Sequence, residues 1–263
     1  MLVFTDQLGS AVSLQSLPKR IISIVPSQTE LLFDLGLDEE IIGITRFCVH
    51  PEKWFHPKTR VGGTKQLHLD IIHELGPDLI IANKEENTKE QIEELEKHFP
   101  VWISDIKTLK DALSMISSIG EITGTQPAAQ KIISLIIKNF GELKPKSKKI
   151  KTAYFIWQNP YMAAGGDTFI NEMMSHCGFD NVFGHAARYP ETQIEELSRK
   201  NCQWLLLSSE PFPFKQKHVE ELNNQLPGVN ILLVDGEMFS WYGSRLIHAP
   251  FYFSMLLAEM GKQ

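Results

Sequence analysis

The stretch that decides the fold comprises residues 20–45, which read RIISIVPSQTELLFDLGLDEEIIGIT. It contains an apolar strand, a short polar turn, a helix that ends at Gly36 and a second apolar strand. Residues 151–184 repeat this plan as KTAYFIWQNPYMAAGGDTFINEMMSHCGFDNVFG, with a longer turn and a helix that ends at Gly178. Because the same strand–helix–strand pattern occurs twice, the sequence predicts two units of similar plan.

Each half of the chain continues with two further helix–strand pairs. In the first half they occupy residues 70–83 and 92–105, and in the second half residues 195–210 and 219–236. Strands that alternate with helices build parallel sheets. We therefore predict an α/β fold with two parallel-sheet lobes, and a ligand cleft between them, since clefts between domains commonly hold ligands.

One segment, residues 127–143, has no counterpart in the repeat. Pro127 suits the first turn of a helix, and six later residues form a broad apolar face. These six are Ile132, Ile133, Leu135, Ile136, Phe140 and Leu143. The basic run at residues 144–149 favours a solvated helix end. We predict an N-terminal lobe at 1–124, a linking spine helix at 125–148 and a C-terminal lobe at 149–263.

The composition excludes several classes of protein. The chain has 263 residues, a net charge of −6, 43% hydrophobic and 22% charged residues, which predicts an ordinary globular protein without the basic surface that nucleic acids require. No apolar run approaches the ~18–20 residues of a membrane-spanning helix. Three unclustered cysteines argue against a disulfide framework and favour a reducing compartment.

The first residues carry no recognisable leader, because basic residues are missing and Asp6 stands where an apolar signal core would lie. We therefore expect a cytoplasmic location for the chain as it stands, or a periplasmic or other extracytoplasmic location if a leader has been removed. The residues before Leu17 are predicted to form a β-hairpin with its turn at residues 5–9.

Local signals mark several helix starts. The patterns Ser27–Glu30, Thr88–Gln91 and Thr192–Glu195 each predict a capping box. Residues 165–168, Gly-Gly-Asp-Thr, open a helix whose amides could meet an anion. The alternative for this last turn is that Asp167 or Thr168 acts as a plain N-cap.

The loops that follow the strands carry the candidate binding residues, since ligands of parallel α/β sheets lie beyond the carboxyl ends of the strands. These loops combine aromatic rings with cations. The candidates are Arg46, Phe47, Lys84, Tyr161, Tyr189, Phe239, Trp241, Tyr242 and Arg245. Such a set suits a large, flat, partly apolar ligand with acidic or amide edges. The alternative for each ring is that it pins its own loop to the lobe.

Other chemistry is weakly indicated. Cys48, His50 and His56 lie near one another, but their spacing matches no standard zinc pattern. Ser27 follows a strand but lacks the glycines of a nucleophile elbow. No dinucleotide fingerprint and no P-loop follows a strand. We therefore predict no catalytic residue, no metal site and no intrinsic cofactor.

Four strings together resemble a known family: residues 20–45, VGGTK followed by LDIIHELGPDLIIA, GGDTFINEMMSHCGFDNVFG, and SWYGSR. They are similar to the substrate-binding proteins of ABC transporters that take up cobalamin, haem and ferric siderophores. The similarity extends from about Arg20 to Met260. It implies two α/β lobes bridged by one long helix, a ligand in the cleft between the lobes, and limited motion.

The resemblance also implies roles for individual residues. One acidic residue on each lobe would dock onto the transporter permease, and these correspond to Asp70 and Glu195; the alternative for Glu195 is capping with Thr192. Aromatic residues that surround a corrin correspond to Phe47, Tyr189 and residues 239–242. Thr64 replaces an aromatic residue of the cobalamin-binding relatives.

These patterns predict a non-enzymatic, monomeric binding protein for a metal chelate, with cobalamin favoured over haem or a ferric siderophore, in an ABC uptake system. Two alternatives remain open: a cytosolic chelate sensor or carrier, and a two-lobed, glycosyltransferase-like enzyme that would use Asp34 or Glu210 as its acidic base.

Overall fold

The computed structural model of the chain describes residues 1–145 and 149–261, which divide into two compact units. Unit 1 comprises Met1–Ile106, Lys110–Ile136 and Tyr242–Arg245, and unit 2 comprises Lys107–Leu109, Ile137–Trp241 and Leu246–Gln263. Each unit thus takes a short segment from the other half of the chain, which the sequence repeat does not predict.

Unit 1 begins with an antiparallel hairpin of β1 (Leu2–Thr5) and β2 (Ala11–Leu14). In its turn, the carboxylate of Asp6 accepts hydrogen bonds from the backbone amides of Leu8 at 2.9 Å and Ser10 at 2.7 Å. A short acidic side chain that satisfies amides further along the chain is a common way to stabilise a turn. The predicted hairpin is confirmed.

The main sheet of unit 1 is parallel. After the hairpin, the strands are β3 (Ile21–Ser23), β4 (Ile41–Ile44), β5 (Thr59–Arg60), β6 (Gly62–Gly63), β7 (Gln66–Leu67), β8 (Leu79–Asn83) and β9 (Val101–Ser104), of which β6 and β7 form a separate antiparallel pair. The other five form the parallel sheet, with strand order β5-β4-β3-β8-β9. Ile21 lies opposite Ile41 on one side and Leu79 on the other, and all three are buried. Strands buried in this way require nearly continuous apolar runs.

The helices of the first half are α1 (Pro26–Asp34), α2 (Glu52–Phe55), α3 (Leu69–Leu75), α4 (Lys89–Glu96), α5 (Leu109–Ile122) and α6 (Gln126–Glu142). After α1 the chain turns at Gly36, whose φ of 88° lies in the left-handed region that favours glycine. This is the helix end that the sequence predicts.

The predicted long helix is confirmed as α6, which differs from the predicted range 127–143 by one residue at each end. Its buried side chains are Ala129, Ile132 and Ile136, and the boundary between the units falls between Ile136 and Ile137. The basic break that was predicted to follow the helix lies partly outside the described residues, at positions 146–148.

The predicted capping boxes are wrong in all three places. Helix α1 begins at Pro26, so Val25 takes the N-cap position and Ser27 lies inside the helix. Thr88 is the N-cap of α4, but its hydroxyl donates to the carbonyl of Lys65 instead of capping an amide. For the third box, the helix starts at Ile194, so Thr192 lies outside it. Proline favours the first helical position strongly enough to shift the start of α1.

Unit 2 contains the second copy of the strand–helix pattern. Its strands are β10 (Ile150–Trp157), β11 (Tyr161–Ala163), β12 (Phe179–Asn181), β13 (Glu191–Thr192), β14 (Trp204–Ser208) and β15 (Asn230–Val234). Its helices are α7 (Phe169–His176), α8 (Ile194–Arg199), α9 (Gln216–Gln225), α10 (Gly236–Ser240) and α11 (Ala249–Met260), with a 3₁₀ turn at Ser244–Ile247.

The sheet of unit 2 is parallel from β12 through β10 and β14 to β15, as predicted. It differs from the prediction at one edge, where β11 pairs antiparallel with β10 and β13 pairs antiparallel with β11. The longer turn of the second copy supplies β11, whereas β13 comes from the segment that follows β12. The predicted α/β fold class with two parallel-sheet lobes is confirmed.

The core of unit 2 lies between this sheet and its helices. It is built mainly from alternate residues of β10 and β14, namely Ala153, Phe155, Leu205 and Leu207, with Leu197 of α8 and Leu222 of α9 packed against them. Burial of such side chains is the main stabilising contribution to a fold of this kind.

Candidate functional site

The carboxyl-terminal end of β8 in unit 1 is organised by two asparagines. The side-chain oxygen of Asn83 accepts hydrogen bonds from the amides of Glu85 and Glu86, at 2.8 and 3.0 Å. Asn87 accepts from the amide of Asn83 at 2.8 Å and donates to the carbonyls of Ile24 and Thr64. Both side chains are buried. The loop after β8 is therefore rigidly held, as a binding loop on a parallel sheet requires.

Lys84 lies in this loop, where it was predicted to contact a ligand. Its ammonium group is 2.6 Å from the carboxylate of Asp105, which follows β9. The side chain of Lys84 remains half exposed. Its ligand contact stays a prediction, and a ligand would have to share the ammonium group with Asp105.

Arg46 and Phe47 form an exposed pair after β4. The guanidinium carbon of Arg46 is 4.9 Å from the centre of the Phe47 ring, and the ring is 49% exposed. A β-carbon added at Gly63 would lie 3.1 Å from the ring of Phe47, so a glycine leaves room for the pair. A cation above one face of an exposed ring suits a ligand with apolar and acidic edges.

Tyr242, Ser244 and Arg245 of the SWYGSR motif belong to unit 1 and are held there by carboxylates. The hydroxyl of Tyr242 donates to Glu86 at 2.5 Å, and the hydroxyl of Ser244 donates to Asp34. Arg245 binds both oxygens of Glu30, with Nε 2.9 Å from Oε2.

The same part of the SWYGSR motif is also packed tightly within unit 1, where Tyr242 and Ser244 are buried. Burial and the Glu86 carboxylate raise the pKa of Tyr242 well above its ordinary value. A β-carbon at Gly243 would lie 2.5 Å from the carbonyl oxygen of Ser27, so the backbone passes close to α1. The predicted ligand contacts of Tyr242 and Arg245 therefore compete with a structural role for both side chains.

Phe239 and Trp241 of unit 2 are also buried. The ring of Phe239 packs against Tyr154 and Phe253, at centroid distances of 5.1 and 4.7 Å, and it has no exposed surface. The indole nitrogen of Trp241 donates to Glu210 at 3.0 Å. In this conformation neither ring presents a face to a ligand, so the alternative that they pin their loop fits their contacts better.

Glu210 is a partly buried carboxylate that contacts these loops. Its Oε1 accepts hydrogen bonds from Ser240 at 2.6 Å and from Trp241. Burial raises the pKa of Glu210 despite these bonds, and the nearby carboxylates of Glu237 and Asp235 raise it further. The carboxylate holds the end of α10 on the loop that follows β14.

Tyr161 and Tyr189 are partly buried at the β11 edge of unit 2. The hydroxyl of Tyr161 accepts from the amide of Gln158 at 3.2 Å, and its ring lies 5.3 Å from Phe155. Tyr189 lies in the segment before β13. Both keep part of their surface exposed, and their ligand contacts stay predictions.

The two glycine amides of the turn at residues 165–168 are engaged within unit 2. The amide of Gly165 donates to the carbonyl of Arg188 and that of Gly166 to the carbonyl of Ala186, both at 2.8 Å. Thr168 caps α7 by accepting from the amide of Asn171. The N-cap alternative is confirmed, and the two glycines allow the segment before β13 to approach closely.

The sequence reasoning missed Trp157, the last residue of β10. Its ring is 40% exposed and packs edge-on against Phe212 at 5.7 Å. Trp157 is the last residue of an apolar strand, and from the sequence alone such a residue is expected to lie in the core. The signal that could have found it is its place at the carboxyl end of a central parallel strand, where ligands bind.

Asp70 and Glu195 occupy equivalent positions in the two units. Each is an exposed acid at the second residue of a short helix, α3 and α8 respectively. Since Thr192 does not cap α8, the capping alternative for Glu195 is wrong. An exposed acid in the first helical turn is favourable locally and leaves the carboxylate available to a basic partner.

The cysteines are all free and buried. The Sγ of Cys48 accepts a hydrogen bond from the Thr29 hydroxyl at 3.1 Å and is hydrogen-bonded to the Thr45 hydroxyl at 3.2 Å, and burial raises the pKa of Cys48. Burial also raises the pKa of Cys202 to about 11. Within residues 1–145 and 149–261, no group of three or more potential ligand side chains gathers in a metal-binding arrangement.

Over the same described part of the chain, the helices are too short or too polar to cross a membrane.

The sequence and fold have clear relatives. The periplasmic binding protein family matches residues 21–230. The vitamin B12-binding protein of Vibrio vulnificus (strain CMCP6) is 30% identical over 204 residues, which cover 75% of this chain and 74% of that protein. An uncharacterized ABC transporter substrate-binding lipoprotein, YvrC of Bacillus subtilis (strain 168), is 23% identical over 258 residues, which cover 92% and 81%.

Solved structures share the fold at lower identity. The periplasmic vitamin B12 binding protein BtuF of Vibrio cholerae superposes with a TM-score of 0.75 at 21% identity, over 94% of this chain and 99% of that chain. The periplasmic heme binding protein HutB of Vibrio cholerae gives a TM-score of 0.75 at 20% identity, over 90% and 98%. The family match spans most of the sequence, and the chain therefore belongs to the periplasmic binding protein family.

Proposed function

We propose that this protein binds a corrinoid, most simply cobalamin, as the substrate-binding component of an ABC uptake system. The observation that carries the proposal is the similarity to the Vibrio vulnificus vitamin B12-binding protein over three quarters of both chains. The haem-binding structures share the fold alone, so they do not favour haem over a corrinoid. No intrinsic cofactor is proposed, since the chelate is cargo.

The ligand contacts proposed in unit 1 are Phe47, Arg46 and Lys84. The exposed ring of Phe47 would face the apolar part of a corrin, and the two neighbouring cations would recognise its amide or acidic edges. In unit 2, Tyr161 and Tyr189 are proposed as contacts because both rings keep an exposed part.

A binding role explains the loops better than an enzymatic one. A glycosyltransferase-like enzyme would use Asp34 or Glu210 as its acid. Asp34 accepts a hydrogen bond from Ser244, and Glu210 accepts from Ser240 and Trp241. The glycine turn that would hold a phosphate uses its amides within unit 2. We therefore propose a non-enzymatic protein.

The proposed partner is an ABC transporter permease, with Asp70 and Glu195 as the docking acids and a monomer as the binding form. The proposed location is outside the cytoplasmic membrane, since the relatives are described as periplasmic proteins and as a lipoprotein. A cytosolic sensor or carrier remains the alternative, and fractionation of cells that produce the natural protein distinguishes the two.

Spectroscopy tests the ligand. Purified protein is incubated with aquocobalamin, haemin, a ferric siderophore or a nucleotide sugar, desalted, and its absorption spectrum recorded. We expect retention of the corrinoid with a micromolar or tighter Kd, which corresponds to about 8 kcal/mol of binding free energy. Retention of haemin alone would replace the corrinoid by haem, and retention of the nucleotide sugar alone would overturn the binding-protein proposal.

Charge reversal tests the docking acids. The double variant Asp70→Lys with Glu195→Lys should lose association with the cognate permease and keep the affinity of the parent for cobalamin. Glu90→Lys is the matched control, because Glu90 is also an exposed acid in the first turn of a helix, α4. Docking through Asp70 and Glu195 is excluded if the double variant still associates as the parent does.

A further inference from the structure

Four aromatic side chains of unit 2 form a continuous row from the surface to the interior. The row comprises Trp157, Phe212, Phe214 and His218. Trp157 contacts Phe212, which contacts Phe214 edge-on at a centroid distance of 4.8 Å. The ring of His218 lies 5.5 Å from both phenylalanine rings. Trp157 is exposed, whereas Phe214 and His218 are buried.

His218 is the polar end of this aromatic row. It lies in the first turn of α9, where its Nδ1 accepts the backbone amide of Lys215 at 2.8 Å. An imidazole nitrogen that accepts a hydrogen bond carries no proton, so Nδ1 serves here as the acceptor of the ring. A side chain at this helical position that reaches back to the N-cap amide satisfies a donor that the helix itself leaves unpaired.

The loop between β14 and α9 is held by the strands of the sheet at one end and by His218 at the other. The amide of Phe212 donates to the carbonyl of Ile156 in β10, and the amide of Phe214 donates to that of Ser208 in β14. From the other side, the imidazole of His218 holds the Lys215 amide and supports both phenylalanine rings. The ring of Phe212, against which Trp157 rests, is thereby placed between β10 and α9.

We propose that His218 is a positioning residue that sets the orientation of Trp157 through Phe212, and that Trp157 presents its exposed ring to the planar face of the bound chelate. The second part rests on the proposed function. Trp157 lies at the carboxyl end of a central parallel strand, the place where α/β sheets bind ligands. Phe212 makes a T-shaped pair with the indole, so it can cover at most one face of the exposed ring and leaves the other for stacking.

The position of Trp157 can be measured without any ligand. All five tryptophans lie within the described residues, and Trp54, Trp102, Trp204 and Trp241 are at most 6% exposed. Quenching of tryptophan fluorescence by acrylamide therefore reports mainly on Trp157. Trp157→Phe is the control that should remove most of the quenchable emission.

Three substitutions separate the two kinds of contact that His218 makes, namely the hydrogen bond to the Lys215 amide and the packing against the phenylalanine rings. His218→Gln keeps an acceptor that can reach the Lys215 amide, His218→Phe keeps an aromatic ring, and His218→Ala loses both. We expect His218→Ala to change the acrylamide quenching constant and to weaken cobalamin binding about tenfold, the size of a strong single contact. His218→Gln and His218→Phe should each recover part of both properties, and they remain informative if the alanine variant does not fold.

A double-mutant cycle decides whether the effect passes through Trp157. If it does, His218→Ala should weaken binding little further in a protein that already carries Trp157→Ala. Additive losses, or parental quenching and affinity in all three His218 variants, would overturn the proposal. If the parent protein retains no chelate, the proposed function fails, while the quenching measurement still decides whether His218 positions Trp157.

Discussion

The loops at the carboxyl ends of the strands are held by different chemistry in the two units. In unit 1 they are fixed by hydrogen bonds and charge pairs, namely those of Asn83 and Asn87 and the pair between Glu30 and Arg245. In unit 2 they are fixed mainly by rings, in the aromatic row and in the packing of Phe239 on Tyr154. The two units share a backbone plan but stabilise the loops at the ends of their strands in different ways.

This difference affects how each loop responds to change. A ring that packs in a core contributes through area and shape, so its loss leaves a cavity. A buried carboxylate that loses its cationic partner instead remains as an uncompensated charge. Each unit also has one exception, since Glu210 is a polar anchor in unit 2 and Phe47 is an exposed ring in unit 1.

The largest effect is expected for Phe214→Ala in unit 2. Phe214 is buried between Phe212 and His218, and truncation of such a ring typically costs about 4 kcal/mol of unfolding free energy. Urea denaturation followed by far-UV circular dichroism measures the change. Phe251→Ala is the matched control, because Phe251 is 73% exposed and its loss should change stability by less than about 0.5 kcal/mol. Equal effects of the two variants would show that the aromatic row does not anchor its loop.

A slightly smaller effect is expected for Arg245→Ala in unit 1. The two partners of this ion pair are largely buried, with side chains 14% and 17% exposed. Loss of the guanidinium leaves Glu30 without its charge partner, which costs about 3 kcal/mol. The same denaturation experiment measures it, with Arg199→Ala, an exposed arginine at the end of α8, as the control. A loss below about 1 kcal/mol would mean that polar anchoring in unit 1 is weaker than its geometry indicates.

The strand–helix plan of both units could be predicted from sequence because local periodicity encodes it. Ile21 and Ile22 in β3, or Leu205 and Leu206 in β14, are parts of short apolar runs that only a buried strand accommodates. Helix starts were predicted less well. The pattern Ser27–Glu30 satisfies the capping rule, yet Pro26 begins the helix, because two local preferences competed and the sequence does not show which one prevails.

The exposure of the candidate site residues was harder to predict, because exposure of a ring depends on contacts distant in sequence. Phe239 and Trp157 are both aromatic residues near strand ends. Phe239 is covered by Tyr154 and Phe253, whereas Trp157 stays exposed. The run that leads to Trp157 shows no alternation, since Tyr154, Phe155 and Ile156 are all buried. The end of a central strand therefore leaves no periodic signal that distinguishes its last residue from the core.

A small stabilisation is expected for Glu210→Gln, the polar anchor of unit 2. Glutamine keeps the oxygen that accepts from Ser240 and Trp241, and it removes a partly buried charge. At pH 7 the variant should be more stable than the parent by about 0.5–1 kcal/mol, a common size for a favourable single change. Denaturation at pH 7 measures this difference, and a variant less stable than the parent would show that the ionised carboxylate is required.

The stability difference between Glu210→Gln and the parent should also depend on pH. The pKa of Glu210 is raised in the folded protein, so the folded state binds more protons than the unfolded state between the unfolded pKa, about 4.3, and the raised folded value. The contribution of this group to stability is therefore present below that window and is lost as the pH rises through it. Glu210→Gln should lack this decline, so the difference between variant and parent should grow from acidic to neutral pH.

The smallest effect on stability is expected for Phe47→Ala, the exposed ring of unit 1. Because half of this ring is already in contact with solvent, its loss should change the unfolding free energy by less than about 0.5 kcal/mol. If the ring instead serves the chelate, cobalamin affinity should fall about tenfold, or about 1.4 kcal/mol. Val49→Ala, an exposed apolar residue of the same loop, is the control and should change neither property. A variant that loses stability but keeps its affinity for cobalamin would show that Phe47 anchors its loop, as the rings of unit 2 do. The reason is that stability is measured without ligand, so only a ring that holds its loop contributes to it.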